Sequence, residues 1–335
     1  MKHSEFTDKF HWMNGLSEYF RYTGQEEKYE PIFKALYHNN YYRKRDILWQ
    51  MIKQDGIDLT DVPDELGRAW VNMLLNEHFD DIEVKPELIT SFLATYSGDP
   101  FVGRICSFID YFLFDHDTSL LLPDLGDFLS RGQVKSKLWM ADELKKIVDG
   151  PLGNVVFYGG WYNFMAHFLF SEFEVNKITS LDLDENVVNP CKQLYRAEVD
   201  QERFQAIHSN VNDVHWSESG LRVRSIPIEA RLRKEKEAEI KQFNLDVGEM
   251  SMIDVGAVNL LINTSCEHMD NTWFENLPDG QFVVLQTNDY FSNPQHVNCC
   301  RDIEAVKEKY PMSEVLYAGE LDTYLYNRFM LIGIK

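Results

Sequence analysis

From Gly153 onward, short β-branched runs alternate with helical stretches, and the chain then closes on two strand-like runs, 314–318 and 324–334, with only a short turn between them. The alternation predicts a parallel sheet with helices on both faces. The closing pair has no helix between its members, so a hairpin must complete the sheet. An ordinary dinucleotide-binding fold has no reason to end that way. The expected strands before the hairpin are 154–158, 177–182, 204–208, 258–263 and 281–286, with helices near 162–173, 185–196, 270–275 and 297–309.

The first half follows a different pattern. Apolar residues recur at three- and four-residue spacing, as in Ala69, Trp70, Met73, Leu74 and Leu75 and again in Phe101, Ile105, Phe108, Ile109 and Phe112. Breaks holding Pro or Gly fall at 54–63, 80–86 and 97–100. The reading is an all-helical N-terminal domain over 1–147 followed by an α/β domain over 148–335, with the aromatic stripes of the first serving helix packing. The segment 217–251 departs from the strand–helix rhythm. Its RLRKEKEAEIKQF predicts a charged, solvated crossover helix.

Charge narrows the partners. With 54 acidic against 33 basic residues and a net charge of -21, the surface repels phosphate backbones and anionic lipid heads, so neither a nucleic acid nor a membrane is an expected partner. No apolar run reaches the ~18 residues needed to span a bilayer, and MKHSEFTDKF has no signal-peptide character, so a soluble, cytoplasmic protein is expected. The five cysteines lack CxxC or Cys/His spacing, which predicts reduced thiols and no metal site. The helical half is a candidate surface for oligomerisation.

Three stretches converge on one crevice. VVFYGGWYN ends a strand at Tyr158 and turns at Gly159 and Gly160 into a helix, a geometry that aims free backbone N–H groups above the sheet. About twenty residues on, ITSLDLDEN places Asp182 at the carboxyl end of the next strand, where a carboxylate can take both hydroxyls of a ribose. The third strand ends in HSNVND, bringing Asn210 and Asp213 to the same edge, where an adenine ring would face them.

On YGGWYN, SLDLDEN and HSNVND, with the strand order and terminal hairpin, the span 130–335 resembles the class I S-adenosylmethionine (SAM)-dependent methyltransferases. The resemblance implies a Rossmann-like seven-stranded sheet with an antiparallel last strand, and SAM as cofactor. It also implies that Gly159 and Gly160 pass the methionine part, Asp182 holds the ribose, Asp184 stands behind it and Asn210 takes the adenine edge. The family turn has an acidic residue leading into three spaced glycines. Here Tyr158 leads, and Trp161 and Asn163 stand at the second and third glycine places. Trp161, with Tyr162, is a candidate aromatic wall for a sulfonium.

The acceptor side is read from three further stretches. RGQVKSKLWMADEL, as a helix, presents Gln133 and Lys137 on one face beside Ser136, as contacts to the SAM carboxylate or a substrate. LLINTSCEHM places Asn263 at the cofactor edge and Glu267 and His268 as candidate catalytic residues, since an imidazole exchanges protons near neutral pH and a carboxylate can act as base or orient it. LQTNDYF supplies Gln286, Asn288 and Tyr290 as a substrate-facing wall, with Asp289 beside them. The expected activity is transfer of a methyl group to a small polar molecule or a protein side chain. Transfer of an aminopropyl or aminobutanoyl group from a SAM-type donor to an amine, and a non-catalytic interaction module, are the alternatives.

Overall fold

The computed structural model describes residues 18–24, 100–101, 103–105, 108, 130–226, 251–323 and 325–335. The chain separates into two compact units, 1–138 and 139–335. In the first, Tyr19, Phe20, Phe101, Ile105 and Phe108 are buried, and Tyr19 and Phe101 meet with ring centroids 4.4 Å apart. The helical pattern around Trp70, the loops at 54–63 and 80–86, and the charged segment 231–243 lie outside the described residues.

Helix α1 (Arg131–Ile147) buries Val134, Leu138, Ala141 and Leu144, a stripe at the helical period. The second unit then runs β1 (Gly153–Tyr158), α2 (Met165–Glu172), β2 (Val175–Asp182), α3 (Glu185–Leu194), α4 (Arg196–Asp200) and β3 (Phe204–His208). After β3 come β4 (Val214–Ser217), β5 (Gly220–Arg224) and β6 (Met252–Gly256), then β7 (Leu260–Asn263), a 3-10 turn at Cys266–His268 and α5 (Thr272–Glu275). The chain finishes with β8 (Phe282–Asn288), α6 (Ile303–Lys309), β9 (Glu314–Asp322) and β10 (Asn327–Ile334).

The principal sheet has seven strands in the order β3-β2-β1-β7-β8-β10-β9. Strands β3, β2, β1, β7 and β8 are mutually parallel, and β10 is inserted antiparallel between β8 and β9. This strand order, with its reversed β10, gives the second unit the α/β, Rossmann-like fold of the methyltransferase type. Strand identity follows from the runs themselves: the short apolar stretches leading into FYGG, INTS and LQTN are buried on both faces, as inner strands of a parallel sheet are. Val155, Val156, Phe157, Leu260, Leu261, Ile262, Val283, Val284 and Leu285 are all buried.

The segment after β3 differs from its expectation. Strands β4, β5 and β6 form a separate antiparallel sheet in the order β4-β5-β6. Val214, Leu221 and Val223 alternate inward with exposed His215, Arg222 and Arg224 outward, and Ser217 pairs with Gly220 across a tight turn. The period-two signal was present in VHWSESGLRVR, but the strands are too short to stand out beside the charged run that follows.

Register brings the ends of β1, β2, β3 and β7 to one edge. Tyr158 pairs with Leu181 on one side and Asn263 on the other, and Asp182 pairs with His208. The turn after β1 can sit against β2 only because residue 160 has no side chain: a Cβ there would meet Ser180 Oγ at 2.1 Å. Gly160→Ala is expected to destabilise the protein by about 1 to 3 kcal/mol through this overlap. Thermal unfolding checks it, and Gly160→Ala combined with Ser180→Ala should recover most of the loss.

Candidate functional site

The turn after β1 passes through the left-handed region at three positions, only one of which is glycine. Gly159, Trp161 and Asn163 have positive φ of 64°, 49° and 51°. For L-residues this region costs roughly 1 to 2 kcal/mol, less for asparagine, whose short polar side chain tolerates it. The strained backbone at Trp161 therefore marks a conformation that the surrounding packing imposes. Tyr158, where the resemblance leads one to look for an acid, is fully buried and packs its ring against Trp273 at 6.1 Å. Tyr162 is likewise buried. Trp161 is only half-buried, its ring 4.6 Å from that of Tyr162, so of the expected aromatic walls one is core.

The backbone N–H groups of this turn are not free, contrary to the expectation from sequence. Those of Gly159 and Gly160 both donate to Leu181 O, that of Asn163 to Gly160 O, and that of Trp161 to Asp182 Oδ2 at 2.6 Å. Short i→i+3 bonds and the closeness of β2 consume them. Asn163 is buried with neither side-chain polar atom hydrogen-bonded among the described residues.

Asp182 is the hub at the end of β2. Its Oδ2 accepts from the Trp161 amide and its Oδ1 from that of Asp184 at 2.9 Å. Burial raises its carboxyl above the usual carboxylate value, against the lowering effect of the Asp184 and Trp161 N–H groups. Asp184 caps α3 by accepting from the Asn186 amide. Asn210 Oδ1 accepts from Asn212 N at 2.9 Å, while Asp213 is exposed and its amide donates to Asn210 O. His208 Nε2 lies 3.0 Å from Leu183 O, tying the end of β3 to the loop that follows Asp182.

At the end of β7, buried Asn263 shapes the next turn. Its Oδ1 accepts from Ser265 N and its Nδ2 donates to Met269 Sδ, while Ser265 Oγ donates to Gly159 O at 3.1 Å. The 264–269 segment thus lies directly on the β1 turn. Cys266 is buried beneath it, with a thiol pushed well up by burial, which leaves it a neutral core residue and no nucleophile.

Glu267 and Arg328 form a buried ion pair with side-chain exposures of 2% and 3%. Glu267 Oε1 accepts from Arg328 Nη2 at 3.1 Å and from Asn288 Nδ2 at 2.6 Å. Arg328 Nη1 donates to Thr264 O, and its guanidinium lies 5.8 Å from the centre of the Tyr326 ring. Glu267 Oε2 is buried with no hydrogen-bond partner among the described residues. Exposed His268 and part-buried His296 meet edge to face at 4.7 Å, and His296 Nδ1 is 3.1 Å from Tyr290 O. Burial lowers the His296 imidazole below its ordinary value, with Glu267 the main opposing influence. Tyr290 stacks on Tyr326 at 5.5 Å.

Asn263, Glu267, His268, Asn288 and Tyr290 therefore gather at the carboxyl edge with Asp182 and the β1 turn. Gln286 does not reach that edge: β8 runs to Asn288, and Gln286 is fully buried within it, donating to Met330 Sδ. Asp289 spends both carboxylate oxygens on Asn327 at the mouth of the closing hairpin. Gln133 and Lys137 belong to the first unit and bond each other along α1, with Lys137 Nζ 2.9 Å from Gln133 Oε1. The sequence reading missed Arg328 and His296. A lone arginine in the apolar run NRFMLIGI is the signal for the first, because a buried charge requires a partner.

No family profile matches the chain, and no curated protein sequence does either. Solved structures similar to it include the N-methyltransferase NodS from Bradyrhizobium japonicum WM9, at 7% identity over 61% of this chain and 96% of that one with a TM-score of 0.40. A SAM-dependent methyltransferase from Aquifex aeolicus matches at 11% identity over 60% of this chain and 92% of that one, TM-score 0.36. A geranyl diphosphate methyltransferase in complex with GPP and sinefungin matches at 10% identity over 64% and 82%, TM-score 0.39. With scores this low, the fold of this chain is defined by its own strand order and register.

Arg328→Ala is expected to destabilise the protein by about 3 to 5 kcal/mol, because it strands the buried Glu267 carboxylate. Denaturant unfolding measures this, and the double change Glu267→Gln with Arg328→Met should cost less than Arg328→Ala alone.

Proposed function

We propose that the protein is a SAM-dependent methyltransferase acting on a small polar molecule or a protein side chain. The observation that carries the reading is the junction of a left-handed turn after β1 with the Asp182 carboxylate at the end of β2, in a sheet of methyltransferase order. The residues fit that cofactor: Asp182 offers lone pairs beyond those used by the Trp161 and Asp184 amides, which suit two ribose hydroxyls. Asn163, buried with its side-chain amide unbonded among the described residues, has both polar atoms left for the methionine part. Asn210 stands at the adenine edge with Asp213 behind it, and Trp161 offers a half-exposed indole face to a cation.

When bound, SAM supplies an electrophilic methyl group on a sulfonium that leaves readily. The chain has then to align an acceptor and take its proton. In this reading His268, exposed on the turn whose Ser265 bonds Gly159, accepts that proton. Glu267 acts as a positioning group. Its Oε1 is committed to Arg328 and Asn288, and this clamp holds the 264–269 turn against β8 and β10. Asn288 Oδ1 in turn accepts from the Tyr290 amide, setting the wall on which Tyr290 stands.

Aminopropyl or aminobutanoyl transfer calls for an acidic pocket around a cationic amine. Glu267 is balanced by Arg328 and Asp289 is spent on Asn327, so methyl transfer is the reading kept.

Calorimetric titration of the full chain with SAM and S-adenosylhomocysteine tests the reading. Micromolar binding is expected, with Asp182→Asn, its fold checked by circular dichroism because the new NH2 faces one of the two backbone amides, losing at least about ten-fold in affinity, about 1.4 kcal/mol. Because burial raises the Asp182 carboxyl, protonation removes an acceptor on acidification before the usual carboxylate range is reached. Affinity should therefore fall in that window for the parent protein and stay flat for Asp182→Asn. No heat and no thermal shift with either ligand would discard the proposal. Product analysis then separates S-adenosylhomocysteine from methylthioadenosine, the product of the other transfers.

A further inference from the structure

We propose that Glu267, His268 and His296 form a binding site for a divalent transition-metal ion on the acceptor side of the crevice. One donor atom from each lies within 4.8 Å of the others. An ion bound at about 2.1 Å from each would draw them to roughly 3 to 3.5 Å apart, so the widest pair closes by up to about 1.3 to 1.8 Å. His268 is exposed and free of the core, and it supplies that movement. The independent observation is Glu267 Oε2, a carboxylate oxygen in a residue 2% exposed that lacks any hydrogen-bond partner among the described residues. Its sister oxygen is held by Arg328 and Asn288, which fixes the carboxylate in place. Burying such an oxygen unbonded is costly, and a cation removes the cost.

His296 is oriented as a ligating imidazole is. With the proton on Nδ1 donated to Tyr290 O, Nε2 is left as the lone-pair nitrogen. That nitrogen now meets Asn293 Nδ2 at 3.1 Å, a contact on a surface loop that an ion would displace. Two imidazoles and one carboxylate suit manganese, iron, cobalt, nickel or zinc better than magnesium or calcium, which prefer all-oxygen shells. The positive charge of Arg328 works in the same direction, since it penalises a hard ion held by charge alone. Three protein ligands leave positions open for an acceptor oxygen, nitrogen or sulfur, whose proton the ion would make easier to remove; with His268 held as a ligand that proton passes to water, and His268 serves as base only in the metal-free protein. That use of the ion rests on the methyl-transfer reading, whereas its binding does not.

The test titrates the 335-residue chain, freed of metal with a chelator, with Co²⁺ and Zn²⁺ in the absence of SAM, following cobalt absorption and bound-metal stoichiometry. One equivalent bound with micromolar affinity is expected, with His268→Ala and His296→Ala each weakening it at least about ten-fold. His268→Ala leaves the Glu267–Arg328 pair intact, so its unfolding temperature without metal should match the parent and separate lost binding from lost fold. No saturable binding up to about 100 µM, or binding that neither histidine variant weakens, overturns the proposal. Metal binding without S-adenosylhomocysteine binding would discard methyl transfer and leave the metal site standing; the reverse result would do the opposite.

Discussion

The close approach of the Tyr158–Asn163 turn to β2 is the constraint on which the crevice depends. Gly160 lies so near Ser180 that no Cβ fits, and this proximity lets the Trp161 amide reach Asp182 while Gly159 and Gly160 share Leu181 O. The chain then passes through left-handed conformations at Trp161 and Asn163. Side chains that disfavour this conformation are held there because the hydrogen bonds and buried rings around them leave no other path. A glycine loop would reach the same geometry with less strain but without an indole at the rim.

A second buried polar junction organises the opposite side. Arg328 from β10, Glu267 from the turn after β7 and Asn288 at the end of β8 meet where water is excluded. Their worth to stability is small relative to an apolar replacement, yet removing one alone is costly, so the cluster acts as a geometrical lock. It joins the reversed strand to the parallel part of the sheet and leaves one Glu267 oxygen without a hydrogen-bond partner among the described residues. The two junctions are linked through Ser265, which bonds Gly159 from the same turn that carries Glu267 and His268.

Much of this was legible before any coordinates. The five parallel strands and the closing hairpin follow from period and length, and the edge positions of Asp182, Asn210 and Asn263 follow from where each run ends. The small sheet of β4, β5 and β6 was not legible, because its strands are short and flank a charged run whose pattern dominates the window. Gln286 was placed one turn of pleat too near the edge, since Thr287 and Asn288 look like loop residues although they are buried in the strand.

By itself the sequence determined the α/β class, the antiparallel ending and the set of polar residues at strand termini, because these depend on local periodicity and on the two faces each strand buries. Only the tertiary structure decided which of those residues keep unspent atoms. Amides that a turn exposes in isolation are consumed by β2, Asp289 is consumed by the hairpin, and Glu267 is divided between an arginine sixty-one residues away and an oxygen with no partner among the described residues. Hydrogen-bond satisfaction is a property of neighbours in space, and no spacing along the chain reveals it.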